Sequence, residues 1–543
     1  MRVDEAPAAP AGRRGGTRAW IPLLLVGVYV GQCLWFIGTQ SLTYDEPAHV
    51  MTGLDAWRFG RFDRWNDQPP LARLLLTLPL LPGGARWQVE KLGRIRPDPE
   101  MLAWYTRPVN VALGVALAAL LWITARDRFG EGGANVALAL FAFSPPLIAH
   151  YSVATVDGAA TLLFFATAIT IVRWRRQPSW AMTVWLGLVL GGFLASKFSA
   201  PPMALVALAV MIGHRRASDQ LLVRVGKAAC ALTVALATVW AIYFFHTGQV
   251  TVRQGEMTGP YAGPGELVVP LPIAHPITIT VPAPEYVVAF GGVVQHSVKG
   301  QPAFLLGRVR RSGGWRSYIP IVAALKWPPI VWATACAALV AFMFNRVPRS
   351  AHLAAMFLFP VVFFVMAVFS NLDIGDRYIL LVYPFLLLVC AALWPAIAAW
   401  RGARTLIGVL IALQAADCLR YAPDDLSYFT PFVRPSQAYT LLTDSNLDWG
   451  QGLLALRAYE HAHPDGTIRL AYFGGVDPRE YGIRAQPLAE QQRAAGTIVV
   501  SATHLSGQYL EDPAAYHWLL GHPRTAILNH TLHVFQVSAE SAR

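Results

Sequence analysis

Two adjacent carboxylates, Asp45 and Glu46, directly follow the first long apolar run of this chain. Neighbouring side chains on a helix point about 100° apart, so these two acids cannot both face one reacting atom. We therefore expect one to accept a proton and the other to support it. The alternative is that Asp45 only caps an interfacial helix, because Asp favours that position and Pro47 follows closely.

Three further charged residues lie at the edges of apolar runs. Asp157 opens one run, Lys197 is the basic residue within a long apolar stretch, and Arg377 lies in a Gly-Asp-Arg-Tyr turn. Each has an ordinary explanation: helix capping by Asp157, snorkelling of Lys197 to the interface, or a salt bridge from Arg377 to Asp373 or Asp376. If they converge, the acids and cations suit an anionic substrate that is attached to a lipid.

Transfer of a sugar from a polyprenyl phosphate would use such a set. A base takes the proton of the acceptor hydroxyl, and cations hold the departing phosphate. The phosphate leaves without an acid, whereas glycoside hydrolysis ordinarily uses two carboxylates that flank the bond. One base and a group that leaves unaided predict a reaction that inverts the sugar centre.

The elements around these residues predict where they lie. The apolar run from about residue 21 to 38 approaches the ~20 residues that a membrane-spanning helix needs. Arg13, Arg14 and Arg18 precede this run, which places the amino terminus in the cytoplasm. A retained span is favoured over a signal peptide because no small-residue cleavage site follows. Asp45 and Glu46 are then expected at the outer face.

The composition is typical of a polytopic membrane protein. Hydrophobic residues make up 55% of the 543, only 14% are charged, and there are 18 tryptophans. The formal net charge is +12, and the basic residues cluster in short turns between apolar runs. Membrane topology therefore explains the positive charge, and nucleic acid is not an expected partner. The five cysteines lack disulfide or metal-ligand spacing. No cofactor is predicted, although a divalent cation near the outer-face carboxylates stays open.

The order of apolar runs and basic turns predicts three regions. Residues 1–18 are expected to be a disordered cytoplasmic segment. Residues 19–419 are expected to form about eleven transmembrane helices, with outer loops at about 41–105 and 246–318. Residues 420–543 contain strand-like runs at 468–473 and 497–501 and a helix-like stretch at 452–461. The fold class is therefore an all-α polytopic membrane protein with a small extracytoplasmic α/β domain.

Several motifs in order carry a family resemblance. They are the Asp-Glu pair after the first span, Asn-x-x-Pro-Pro-Leu at 66–71, Ser-Lys-Phe-Ser-Ala at 196–200, and Gly-Asp-Arg-Tyr at 375–378 with Tyr383-Pro384 beyond. Through most of residues 20 to 400 the chain resembles the GT-C type integral-membrane glycosyltransferases, typified by protein O-mannosyltransferases and lipid A aminoarabinose transferases. Segments 296–307 and 443–451 are similar to those of a bacterial branch of that group.

The resemblance implies roles for these residues. Asp45 would be the catalytic base, with Glu46 in support and Asp157 as a second acid of the active site. Lys197 and Arg377 would bind the donor phosphate. Relatives often carry Lys or His where this chain has Gln68, so Arg73 is a candidate replacement, unless it anchors to headgroups. The possible substrate-binding residues are Tyr44, His49, Gln68, His296, Tyr378, Asp448 and Trp449.

Some of these assignments have simpler alternatives. His49 and His296 could be ordinary interface residues. Asp448 and Trp449 could grip a sugar or peptide acceptor together with the segment from Phe473 to Asp477, or Asp448 could simply begin a helix.

The expected partners are therefore a polyprenyl-phosphate sugar donor, the lipid bilayer and an acceptor hydroxyl on a protein, lipid or glycan. The expected location is the inner membrane of a bacterium, with the carboxyl-terminal domain outside. A transporter or flippase of lipid-linked sugars is the main alternative, and it would favour charges near the bilayer centre and broken helices in related halves. A sensor or assembly scaffold is a third, in which Asp45 would be dispensable.

Overall fold

The computed structural model describes residues 20–64, 67–214, 220–253, 256–258, 267–268, 275–347, 351–464 and 466–540. The segment 1–18, predicted to be disordered, lies outside the described residues. Most of the described chain is helical. The helices are α1 Trp20–Thr39, α2 Glu46–Phe59, α3 Leu71–Thr77, α4 Pro99–Ala142, α5 Pro145–Tyr151, α6 Asp157–Arg176, α7 Trp180–Leu194, α8 Ala200–Gly213, α9 Leu221–Ile242, α10 Pro284–Lys299, α11 Tyr318–Lys326, α12 Pro329–Met343, α13 Ala351–Phe369, α14 Asp376–Ile379, α15 Tyr383–Ala391, α16 Leu393–Ile397, α17 Ala403–Leu419, α18 Leu453–Ala462 and α19 Ala502–Leu505.

The strands form four sheets, of which the carboxyl-terminal one has five strands. The strands are β1 Gln88–Val89, β2 Ile95–Arg96, β3 Thr247–Arg253, β4 Glu256–Thr258, β5 Leu267–Val268, β6 Ile277–Pro282, β7 Ala303–Leu305, β8 Arg308–Arg310, β9 Ile468–Ala471, β10 Gln486–Pro487, β11 Gly496–Ser501, β12 Arg524–Leu528 and β13 Leu532–Val537. Short 3-10 helices lie at Leu78–Arg86, Leu380–Val382, Asp425–Ser427, Pro435–Thr440, Asp444–Asn446, Pro478–Tyr481 and His517–Gly521.

Five of the described helical segments are long and apolar enough to cross a membrane. They are Trp20–Thr39, Pro99–Ala142, Asp157–Arg176, Leu221–Ile242 and Asp376–Ile397. The pair α11 and α12, bent by 106°, makes a sixth if it counts as one broken span, and Trp180–Leu194, Ala200–Gly213 and Ala355–Phe369 are shorter apolar helices. These helices support a membrane location, while the predicted total of about eleven spans stays a prediction.

The long helix α4 is interrupted where a basic turn was predicted. Gly130 has φ +74° and ψ 177°, which is outside the helical region and is readily accessible only to glycine. Arg126 and Arg128 lie just before this break. The apolar residues on either side therefore form two consecutive helical segments with the cations at their junction, as the alternation of apolar runs and basic turns indicates.

The carboxyl-terminal sheet has the strand order β10-β9-β11-β13-β12. Strand β9 is parallel to its neighbour β11, whereas β13 is antiparallel to both of its neighbours, β11 and β12. The strands and helix predicted at 468–473, 497–501 and 452–461 are confirmed as elements, with slightly different bounds. The last four residues of β11, Ile498 to Ser501, are buried. Because side chains on both faces of the strand are covered there, the sequence Ile-Val-Val is a continuous apolar run without polar alternation. Val499 shares a core with Leu453 of α18 and with Leu42 and Val50 of the segment that follows α1. The sheet and that segment are thus one packing unit.

A buried lysine ties the same region to the helical part. Lys326, the last residue of α11, donates from Nζ to the carbonyl oxygens of Leu426 (3.0 Å), Tyr428 (2.6 Å) and Asn446 (2.5 Å). Its three donors are therefore all used, which is what allows an ammonium group to be buried. This contact holds the segment that precedes Asp448 and Trp449 against the helices.

Candidate active site

The segment between α1 and α2 is fixed by the carboxyl-terminal region. The Tyr44 amide donates to the Trp449 carbonyl at 2.8 Å, and the Ser41 amide donates to the Gln451 carbonyl at 3.0 Å. Gly475 lies so close to the Tyr44 backbone that a Cβ atom there would be 2.2 Å from the Tyr44 carbonyl oxygen. Residues more than 400 positions apart in sequence therefore set the conformation of the chain at Asp45.

Asp45 precedes α2 but does not cap it. Its side chain makes no capping hydrogen bond and instead accepts from Arg377 Nη1 at 2.8 Å. The capping alternative therefore has no support in the side-chain geometry. Burial by itself raises the pKa of Asp45, but the charge of Arg377 and its hydrogen bond outweigh burial and leave the pKa below its usual value.

Glu46 has a different environment, with no exposed side-chain surface. Arg107 of α4 binds it through two hydrogen bonds of 2.8 Å, and the backbone amides of Ala154 and Thr43 donate to the same carboxylate at 2.7 and 2.6 Å. Arg107 also donates to the carbonyls of Gln40 and Ser41. Glu46 thus orders the loop around Asp45, which agrees with a supporting role and places it away from any reacting atom.

Asp157 and Lys197 form a second ion pair, 2.5 Å between Oδ1 and Nζ, and both side chains are about 5% exposed or less. Asp157 begins α6 and Lys197 lies in the turn between α7 and α8. The Lys197 ammonium also lies 5.9 Å from the centre of the Tyr378 ring. The two residues are therefore partners, and Lys197 does not snorkel to solvent.

A small cavity of about 150 Å³ brings many of the predicted site residues together. Asp45, Asp157, Lys197 and Arg377 contribute its charges, and Asp67 adds a third carboxylate. The remaining polar residues of its lining are His49, Gln68, His296 and Gln301. We call it the donor cavity, after the ligand that the sequence predicts for Lys197 and Arg377. Two of its groups carry a fixed positive charge, as binding of a phosphate requires. Burial and the neighbouring Arg73 lower the pKa of His49 to about 4, so that ring is neutral at pH 7.

A larger cavity of about 470 Å³ lies on the other side of Asp45 and Arg377. These two residues and Gln301 line both cavities. Tyr44 and Trp449, predicted as possible substrate ligands, line this larger cavity, and the guanidinium of Arg377 lies 4.4 Å from the centre of the Trp449 ring. We call it the acceptor cavity, after the ligand that the sequence predicts for Trp449. The Asp45–Arg377 pair is thus the boundary between the two.

Four of the predicted site residues line neither cavity: Glu46, Arg73, Tyr378 and Asp448. Arg73 donates to His49 Nδ1 at 3.2 Å and to the Gln68 carbonyl at 3.2 Å, and it forms an ion pair with Asp67. It therefore holds the segment between α2 and α3 in place, and its buried side chain does not line the donor cavity.

Asp448 is fully buried, and its carboxylate accepts from the amides of Thr503 (3.0 Å) and Gly450 (3.3 Å). Helix α18 begins only at Leu453, so Asp448 does not cap it either. Burial raises the pKa of Asp448 to about 6, and the two amides oppose this rise. Its role is to fold the chain so that the neighbouring Trp449 points into the acceptor cavity.

Sequence reasoning missed several residues of the two linings. Tyr472, His504 and Tyr509 are among them. Gln301, Asp444 and Phe473 lie within segments that the sequence singles out, the last two for possible acceptor binding, but none of the three was named there as a single site residue. Tyr509 and His504 carry no motif at all, and only the packing of the five-stranded sheet brings them close to Asp45.

Among the residues that the structure describes, no group of three or more His, Cys, Asp or Glu side chains is arranged to hold a metal ion. Asp45 and Asp157 each contact a cationic side chain instead. The divalent cation left open by the sequence therefore gains no support from this geometry.

Residues 100–244 match a family model described as dolichyl-phosphate-mannose-protein mannosyltransferase. The matched segment contains Asp157 and Lys197, while Asp45 precedes it and Arg377 follows it. A comparison with curated proteins finds no significant match.

Solved structures of membrane glycosyltransferases align with most of the chain at low identity. ArnT from Cupriavidus metallidurans, bound to undecaprenyl phosphate, is 13% identical with a TM-score of 0.47, over 97% of this chain and 99% of that one. The S. cerevisiae Pmt1-Pmt2 complex, bound to its sugar donor, is 11% identical with a TM-score of 0.49, over 86% and 94%. The oligosaccharyltransferase of Archaeoglobus fulgidus is 12% identical with a TM-score of 0.44, over 91% and 71%. The family match over residues 100–244 contains one of the ordered motifs, Ser-Lys-Phe-Ser-Ala at 196–200, and over that segment the resemblance of this chain to the GT-C type integral-membrane glycosyltransferases is confirmed.

Proposed function

We propose that this protein transfers a sugar from a polyprenyl-phosphate donor to an acceptor hydroxyl group at the outer face of a bacterial inner membrane. The observation that carries the proposal is the shared position of Asp45 and Arg377 between two cavities. A transferase must bring a donor and an acceptor to one reacting atom from two sides. The family match over residues 100–244 supports the same class of donor.

The donor would place its phosphate in the donor cavity. At ~30 Å³ per water molecule the cavity holds about five waters, so it suits a phosphate group whose lipid chain stays in the bilayer. Lys197 and Arg377 would stabilise the charge that develops on the phosphate as it leaves. Asp157 would keep Lys197 oriented until the phosphate arrives.

The reaction itself is a single displacement. The acceptor oxygen forms a bond to the anomeric carbon, the bond from that carbon to the phosphate oxygen breaks, and the electron pair leaves with polyprenyl phosphate. Asp45 takes the hydroxyl proton. Attack from the side opposite to the leaving group inverts the centre.

Arg377 links donor binding to the basicity of Asp45. While Arg377 bonds to Asp45, its charge lowers the pKa of that carboxylate, which makes a poor base. A phosphate in the donor cavity competes for the same guanidinium. The pKa of Asp45 would then rise towards its usual value, so the base gains strength when the donor is in place.

The direction of α6 supports the proposed topology. Asp157 is its first residue, and Arg173, Arg175 and Arg176 lie in its last turn. In a spanning helix the basic end favours the cytoplasm, so Asp157 would be at the outer face. With a cytoplasmic amino terminus and about eleven crossings, residues 420–543 would form an extracytoplasmic α/β domain.

Reporter fusions test this topology. We expect alkaline phosphatase fused after Arg543 to be active and the same enzyme fused near Arg175 to be inactive, because the reporter folds only outside the cytoplasm. Enzyme activity normalised to the amount of each fusion is the measurement. The reverse pattern would place both cavities on the cytoplasmic side and contradict the proposed donor geometry.

The Lys197→Met variant tests the donor site. The substitution removes a charge-assisted contact worth roughly 1.5 to 3 kcal/mol, so kcat/KM for the donor should fall by about 10- to 150-fold. The acceptor KM should change little, since Lys197 does not line the acceptor cavity. Steady-state kinetics with each substrate varied in turn measure both quantities.

Lys227→Met is the matched control. Lys227 is also a mostly buried lysine, but its ammonium donates to the Pro178 carbonyl, far in sequence from either cavity lining. Its donor kinetics should stay close to those of the unmodified protein. If Lys197→Met changed only the acceptor KM, the assignment of the donor cavity would be incorrect.

A further inference from the structure

We propose that the acceptor cavity binds a neutral carbohydrate, one of whose hydroxyl groups receives the transferred sugar. This inference rests on the proposed function and narrows its acceptor from any hydroxyl-bearing molecule to one chemical class. The charge, the hydrogen-bonding groups and the aromatic side chains of the lining each bear on it.

The charges of the lining disfavour an anionic acceptor. Asp45 and Asp444 are both acidic, and Arg377, the only fixed cation among the described residues of the lining, is the one that a bound donor phosphate would engage. Burial lowers the pKa of His504 to about 4, so this ring is neutral at pH 7. Lys91 lies 4.3 Å from the centre of the Tyr44 ring but does not line the cavity. An acceptor phosphate or carboxylate would therefore meet like charge.

The hydrogen-bonding groups suit a ligand with several hydroxyls. The Nδ1 atom of His504 is buried and has no hydrogen-bond partner among the described residues. Asp444 accepts from the Tyr509 hydroxyl at 2.8 Å, and Gln301 adds an amide at the boundary with the donor cavity. A hydroxyl group both donates and accepts, so neighbouring hydroxyls could satisfy a carboxylate, an imidazole nitrogen and an amide together.

Aromatic rings form the rest of the wall. Phe473 lies between Tyr44 and Tyr509, with ring centres 5.1 and 5.3 Å apart and nearly parallel planes. Trp449 lies on the same cavity, beside Arg377. A sugar ring carries C–H surface next to its hydroxyls, and a wall of aromatic and polar groups complements both.

A peptide acceptor fits this lining less well. An extended peptide presents a row of backbone amides and carbonyls, and a free strand edge is a common complement for it. Of the described residues that line the acceptor cavity, none lies in a β-strand. The lining therefore presents side chains suited to a compact ligand.

The test uses the purified full-length protein in detergent with a radiolabelled polyprenyl-phosphate sugar. Three acceptor classes are compared: a panel of neutral disaccharides of mannose, glucose and galactose, the same panel with a uronic acid, and a peptide rich in serine and threonine. We expect transfer to a neutral disaccharide, about tenfold less to its uronic counterpart because of like charge, and none above background to the peptide.

Variants locate the effect in the acceptor cavity. Asp444→Asn and Phe473→Leu should each raise the disaccharide KM by about tenfold, the scale of one lost contact, with the donor KM unchanged. Asp512→Asn is the matched control, because Asp512 is exposed, accepts from the Ala514 amide and lines neither cavity. Two different variants are used so that a folding defect in one does not decide the result.

The outcomes separate the two proposals. Transfer to the peptide alone, equal use of the uronic panel, donor hydrolysis without transfer to any sugar, or an unchanged KM in both variants would overturn the carbohydrate assignment and leave the proposed function in place. If the donor is neither transferred nor hydrolysed under any condition, the proposed function itself is contradicted.

Discussion

Replacement of Asp45 by Asn is expected to reduce transfer by roughly 10²- to 10⁴-fold, which is the usual contribution of a general base. The substitution keeps the size of the side chain and removes its ability to take the acceptor proton. It also releases Arg377 from its partner. Donor binding should therefore be retained or strengthened while the chemical step slows.

Single-turnover transfer with saturating donor, together with a donor-binding isotherm, separates these two effects. The thermal unfolding midpoint in detergent serves as the folding control. A helix cap would give another result, because Asn caps about as well as Asp and would leave transfer intact. Near-normal turnover of the folded Asp45→Asn variant would contradict the assignment of Asp45 as the general base.

Replacement of Arg107 by Met should have the largest effect on stability. Arg107 and Glu46 are both fully buried, and removal of one partner leaves an uncompensated charge, which costs about 3 to 5 kcal/mol. The loop that carries Asp45 also loses the bonds from Arg107 to the Gln40 and Ser41 carbonyls. We expect a lower unfolding midpoint in detergent and a loss of transfer that follows from it.

Two comparisons make this prediction specific. Arg96→Met breaks an ion pair with Glu480 whose arginine is half exposed, and such surface pairs contribute only about 0 to 1 kcal/mol. The double variant Glu46→Gln, Arg107→Met removes both charges and should recover part of the stability lost in Arg107→Met. If the unfolding midpoint of Arg107→Met were no lower than that of Arg96→Met, the ion pair with Arg107 would not be the interaction that holds Glu46 in position.

The sequence by itself determined which charged residues lie beside apolar segments. Such residues are energetically unfavourable at a membrane unless they have a partner or a function. A charge beside apolar sequence is a local property, so Asp45, Asp157, Lys197 and Arg377 could be singled out without a structure. All four line the donor cavity. The break in α4 at Gly130 was likewise predictable, because it follows the basic turn at Arg126 and Arg128 between two apolar runs. The number of spans stays a prediction.

Only the tertiary structure decided which partner each of these residues has. Asp45 and Glu46 are adjacent and chemically similar, yet one faces two cavities with Arg377 and the other is enclosed with Arg107. Ion pairs between residues tens to hundreds of positions apart leave no trace in local periodicity.

The acceptor cavity shows the same limit more strongly. Tyr44, Phe473 and Tyr509 stack only because the five-stranded sheet packs against the first outer loop. Aromatic residues are common in core and cavity alike, so the types of these residues do not distinguish the two. The residues that carry charge at an apolar boundary were readable from the sequence, whereas the aromatic wall of the acceptor cavity exists only after the chain has folded, because it depends on packing between distant segments.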